Sequence, residues 1–105
     1  MEFKDVQQTV YDEYIKNGYL DEWVHPDFKQ QWKNNLAEAG LIHTEVTELQ
    51  EAIRDFNTEK ITLECADIII RTMNLCSRMG ILLYEGIITK HHENLRRGRL
   101  HERQI

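Results

Sequence analysis

Glu45 and Glu48 form an acid pair three residues apart, and Glu64 and Asp67 form a second. On a helix, that spacing makes the two members of each pair neighbours on one face. Each acid directly precedes an apolar residue (Val46, Leu49, Cys65 and Ile68). Each pair therefore sits on the shoulder of an apolar stripe, about 100° from it. Two helices packed antiparallel through those stripes would bring the four carboxylates together. Converging carboxylates at low dielectric either take up protons or bind cations. Oxygen ligands select Mg²⁺, Mn²⁺ or Ca²⁺, and Mg²⁺ commonly shares its shell with substrate phosphates. The pattern predicts a cation site acting on a phosphate-bearing substrate. A single Glu-x-x-Glu is common on solvated helix faces, so the repetition beside apolar stripes carries this reading.

Other metal chemistries fit less well. A di-iron bundle needs Glu-x-x-His on two helices. The chain has one match, Glu22-Trp23-Val24-His25, in a segment that reads as a loop. His91 and His92 are adjacent and point different ways on a helix, and no other histidine pair has zinc-ligand spacing beside an acid. Cys65 and Cys76 are eleven residues apart. On one helix that is roughly 16 Å, beyond the roughly 7 Å a disulfide allows.

Four helices must position these residues. The pattern predicts segments over about 2–17, 28–55, 59–79 and 82–97, with no strand. Asn17-Gly18 ends the first segment. Pro26 disfavours helix at His25, and Asp27 supplies the N-cap of the second. Gly40 within it allows a bend. Asn57-Thr58 caps the third, which stops at Gly80. The fourth stops at Gly98, leaving 98–105 as an irregular basic tail. In the second segment Ile42, Val46, Leu49, Ile53 and Phe56 form an apolar stripe. In the third, Ile68, Ile69 and Ile70 are consecutive and spread over much of the circumference. A helix apolar on most sides needs cover on most sides, which points to a homo-oligomer with this segment near the interface.

A length of 105 residues, 41% hydrophobic and 30% charged, fits one soluble domain spanning 1–105. The net charge of −5 is unevenly spread, with an acidic stretch over 38–67 and a basic one over 90–105. A nucleic-acid binder would want a broad basic face, so none is expected as a partner. No leader-like segment and no apolar run of about 18 residues is visible, so the expected setting is the cytoplasm, away from membranes.

Leu41-Ile42-His43-Thr44-Glu45-Val46-Thr47-Glu48-Leu49, followed by Glu64-Cys65-Ala66-Asp67-Ile68-Ile69-Ile70-Arg71, resembles the all-α NTP pyrophosphatase superfamily, which includes MazG-like proteins. That family's signature is Glu-x-x-Glu, a gap, then Glu-x-x-Asp. Lys90, Asn94 and Arg97 are similar to the Lys-x-x-x-Asn-x-x-Arg pattern on the last helix of many members, and His101 falls in a comparable basic tail. The resemblance covers about residues 32 to 103. Asn74, Gly98 and Thr47 depart from it and remove no metal ligand.

The resemblance implies a four-helix MazG-like bundle, assembled as a homodimer or homotetramer. It implies a Mg²⁺-dependent pyrophosphohydrolase, with Mn²⁺ able to substitute, that converts an NTP or dNTP to the monophosphate and pyrophosphate, as in nucleotide-pool housecleaning. Glu45, Glu48, Glu64 and Asp67 would hold the metal, with Glu48 chosen to activate water. Lys90, Asn94 and Arg97 would contact the polyphosphate. Beside this, Glu64, Asp67, Arg71, Asn74 and Arg78 form a polar stripe on the third helix. Arg71 suits pairing with an acid or touching phosphate, and Asn74 suits a base edge. Trp32 and Asn34 are candidate lining for a base pocket, whereas His43 points elsewhere and reads as packing. The competing function is a non-catalytic nucleotide-binding or regulatory bundle, and a purely structural helical module is a third.

Overall fold

The computed structural model describes residues 1–18 and 24–103, the last five of these by backbone alone. Among the described residues there are four helices: α1 Phe3–Lys16, α2 Phe28–Arg54, α3 Thr58–Arg78 and α4 Leu83–Arg103. No strand occurs among the described residues. The fold is an all-α bundle.

Local chemistry sets the helix ends. Asp27 Oδ2 accepts from Gln30 N at 2.9 Å, and Asp27 N donates to His25 Nδ1 at 3.0 Å. Asn57 Oδ1 accepts from Lys60 N at 3.0 Å to open α3. α3 closes through Gly80, whose φ is 72°, with Ile81 N reaching back to Cys76 O at 2.8 Å. Gly40 does not interrupt α2.

Gly98 does not end the last helix as expected. It takes φ 42° and kinks α4, and helical geometry then resumes to Arg103. One left-handed glycine breaks the ladder locally, and the leucine, glutamate and arginines beyond it favour helix again. His101 and the other side chains beyond Gly98 lie outside the described residues, as do Glu22 and Trp23.

The α2–α3 corner uses the same device as the α3 end, but without a glycine. Phe56 holds φ 55° while Asn57 N donates to Ala52 O at 3.1 Å. The residue is 89% exposed. The left-handed conformation costs a non-glycine residue about 1–2 kcal/mol, and the exposed ring gains little in return. Phe56→Gly is therefore expected to stabilise the protein by about 1 kcal/mol, raising the melting temperature by about 4 °C. A lower melting point would show that the ring has a packing partner.

α2 and α3 form the most extensive contact, and α1 lies against α3 with a smaller contact to α4. Two ion pairs mark the antiparallel register of α2 and α3. Glu45 meets Arg71, and seven residues away on each helix Glu38 meets Arg78. α1 is fastened by polar anchors. Gln7 Nε2 donates to Ser77 Oγ at 2.9 Å and Ile81 O at 2.8 Å, and Gln7 Oε1 accepts from Leu83 N at 2.8 Å. Arg78 Nη1 donates to Tyr14 Oη at 3.1 Å.

The interior is mostly polar. Among the described residues, Ala52 and Met73 are the buried hydrophobic ones, against Gln7, Asn35, Glu38, Glu64 and Asn74. The apolar stripe expected on α2 is only part-covered, with Val46 and Ile53 exposed and Ile42 and Leu49 half-buried. Ile69 and Ile70 of α3 are also exposed. The helix pair meets instead through the polar register just described.

Candidate functional site

The α2–α3 register places Glu45 and Glu48 beside Glu64. One carboxylate oxygen from each lies within 4.8 Å of the others. Glu64 is 9% exposed, and its Oε2 is buried with no hydrogen-bond partner. Its carboxyl titrates above the ordinary value of 4.5. Desolvation is the main cause, followed by the charge of Glu48, hydrogen bonding to Glu45 and Glu48, and the charge of Glu45.

Asp67, one turn further along α3, is exposed and does not join this group of three. Members of an i, i+3 pair share a face but are offset by about 4.5 Å along the axis. At the crossing of α2 and α3 Glu64 is buried, while Asp67 lies at the exposed edge.

Arg71 Nε lies 3.2 Å from Glu45 Oε1, with the arginine side chain 40% exposed and the glutamate 14%. Asn74 is 5% exposed, and its Oδ1 is buried with no hydrogen-bond partner. The polar stripe of α3 thus does face α2. Its far end is the Glu38–Arg78 pair, both side chains almost fully buried. Burial lowers the pKa of Arg78, with Tyr14 and Tyr11 acting in the opposite direction. Glu38 carried no role in the sequence reading. Its signal was the seven-residue step from Glu38 to Glu45, matched by the step from Arg71 to Arg78.

The other residues singled out differ in their surroundings. Trp32 is half-exposed and stacks on Phe28, with centroids 5.8 Å apart. Asn34 Oδ1 accepts from Gln30 Nε2 at 3.0 Å. Trp32 precedes Glu45 by thirteen residues on α2, about 20 Å of helix. His43 is exposed. Lys90, Asn94 and Arg97 are exposed on α4, which packs on α1, and Lys90 Nζ lies 3.4 Å from Glu93 Oε2. Cys65 and Cys76 are free thiols, and burial raises the pKa of Cys76. Among the described residues, no helix is long and apolar enough to cross a membrane.

The donor set suits a hard divalent cation. Three carboxylates converge, and one supplies a buried oxygen that nothing else satisfies. Without a cation, these charges oppose folding. Glu64 binds its proton more tightly in the folded chain than in the unfolded one. Its favourable contribution is complete below pH 4.5 and is lost as pH rises through the higher folded value. Glu64→Gln is accordingly expected to melt above wild type at pH 7.5 in chelator, with the gap closing toward pH 4.5. It should also lose any stabilisation by Mg²⁺. Thermal melts at both pH values test this, and a variant that melts lower in chelator at pH 7.5 contradicts it.

The profile of the phosphoribosyl-ATP pyrophosphohydrolase family matches residues 20–94. The matched segment contains α2, α3 and most of α4, and all three clustered glutamates. No curated protein and no solved structure matches the chain.

Proposed function

This chain belongs to the phosphoribosyl-ATP pyrophosphohydrolase family, within the all-α NTP pyrophosphatase superfamily, and from that premise we propose that it hydrolyses nucleoside triphosphates, ribo- or deoxyribo-, to the monophosphate and pyrophosphate with Mg²⁺. The convergence of Glu45, Glu48 and Glu64 carries the reading. Asp67 is the fourth ligand in this proposal, its exposed side chain free to turn toward the other three. Bound Mg²⁺ supplies charge to offset the phosphates and acidifies water, and Mn²⁺ can substitute.

Glu48 is exposed whereas Glu64 is buried. We assign Glu48 to orient the attacking water and accept its proton. Attack at the α-phosphorus breaks the bridging bond to the β-phosphate. Lys90, Asn94 and Arg97 are assigned to the polyphosphate, and Asn74 to the base edge, where its unsatisfied buried oxygen would gain a donor. Trp32 and Asn34 remain the proposed outer lining of the base pocket.

The working protein is proposed to be a homodimer or homotetramer of single-domain chains. A compact chain of this length has a radius of gyration of about 13 Å, whereas this one measures 16.2 Å. Its accessible surface is 8237 Å², roughly 2,000 Å² above that of a folded monomer of its mass. An excess of that size matches what a permanent interface covers.

The family match favours a second reading of the substrate, phosphoribosyl-ATP, which carries the same triphosphate. Incubation with a panel of ribo- and deoxyribonucleoside triphosphates and phosphoribosyl-ATP, in Mg²⁺ or in chelator, separates these by ³¹P NMR. The proposal expects pyrophosphate in Mg²⁺ only. Turnover confined to phosphoribosyl-ATP selects the second reading. Binding without any product from well-folded protein would instead support the non-catalytic bundle.

A further inference from the structure

We propose that Arg71 is an exchangeable counter-cation: it neutralises Glu45 while the carboxylates hold no ion, and it moves to the substrate's phosphates when a divalent cation takes Glu45. The inference rests on the metal reading above and adds the step that links ion binding to phosphate binding.

The fold contains its own comparison. Arg71–Glu45 and Arg78–Glu38 are the same chemical pair, seven residues apart on the same two helices. Their surroundings are opposite. Arg78 and Glu38 are 2% and 3% exposed, and Arg78 is further held by Tyr14. That arginine cannot leave without burying a lone carboxylate. Arg71 is 40% exposed, so its guanidinium reaches solvent while its partner is 14% exposed. A long, part-exposed side chain can swing without disturbing packing. Half-exposed pairs are also weakly held, which makes the exchange cheap.

Charge sets the direction of exchange. Glu45 belongs to a group of three carboxylates within 4.8 Å, where an extra positive charge is favourable and a divalent ion outcompetes a monovalent one. Once Glu45 is taken, Arg71 is a cation beside a site that has gained positive charge. A polyphosphate then becomes its best partner, because the planar guanidinium matches two phosphate oxygens at once. Asp67 is four residues before Arg71 on the same face. Arg71 therefore stays within reach of the site throughout.

The test uses two calorimetric titrations on the full chain, with wild type, Arg71→Gln and Arg71→Lys. Mn²⁺ is titrated into nucleotide-free protein, and inorganic pyrophosphate into protein held in Mg²⁺. Removing the competing cation should make Arg71→Gln bind Mn²⁺ roughly two- to fivefold more tightly than wild type. The same variant should bind pyrophosphate at least about tenfold more weakly. Arg71→Lys should return Mn²⁺ affinity to the wild-type value while pyrophosphate stays weak, because lysine keeps the charge but not the fork. A solely structural pair would weaken both ligands together, and a solely phosphate-binding arginine would leave Mn²⁺ affinity unchanged. Either result overturns the inference while the metal reading survives. Wild-type protein that takes up no Mn²⁺ overturns both.

Discussion

Glu48→Gln is expected to lower turnover by about a hundred- to ten-thousand-fold while leaving the fold intact. The amide has the shape of the carboxylate but cannot accept a proton from water, and it is a poorer ligand for a hard cation. Glu48 is exposed, so its replacement buries nothing new. It also adds to the charge that raises the Glu64 pKa, and its loss should slightly favour the metal-free fold. Wild-type and variant rates of pyrophosphate release, with melting curves alongside, separate lost chemistry from lost structure. Turnover retained within a few-fold would remove Glu48 from the role assigned to it.

The second large effect is on stability and lies about three turns away. Glu38→Ala removes the carboxylate paired with a guanidinium whose side chain is 2% exposed. Breaking one side of a buried pair costs about 3–5 kcal/mol, a large part of the roughly 5–15 kcal/mol that holds a domain together. Replacing both partners with apolar residues of similar volume, Glu38→Met with Arg78→Leu, should cost far less, because no charge is then left buried. Urea denaturation of the single and double variants distinguishes the two. A single variant within about 1 kcal/mol of wild type would mean that Arg78 finds water or another acid with little rearrangement.

The two experiments probe parts of the molecule that were unequally legible in the sequence. The acid cluster could be read because helical spacing sets Glu45 beside Glu48, and the antiparallel pairing of α2 and α3 brings Glu64 to them. Asp67 fits the same spacing, yet its side chain stays exposed, and where the two helices cross is not encoded locally. The pairing of Glu38 with Arg78 is not legible in the sequence, because a charge among charges on a helix usually faces water. Only the pairing of two helices turns the Glu38–Glu45 and Arg71–Arg78 steps into one register. Lys90, Asn94 and Arg97 share a face, but where α4 packs depends on Gln7 and the α3–α4 corner, and no spacing within α4 reveals that. Gly98 looked like a stop and is a kink, because a glycine interrupts the helical ladder at one residue and leaves the next turn free to form again.

The central claim is that Glu45, Glu48 and Glu64 converge around a divalent ion. Crystals of the protein grown or soaked with Mn²⁺, measured at the manganese absorption edge, test it most directly. The expected result is an anomalous peak about 2.2 Å from carboxylate oxygens of those three residues, with Asp67 turned toward it and Arg71 withdrawn from Glu45. Protein saturated with Mn²⁺ that shows no peak there, or binds the ion only elsewhere, would contradict it.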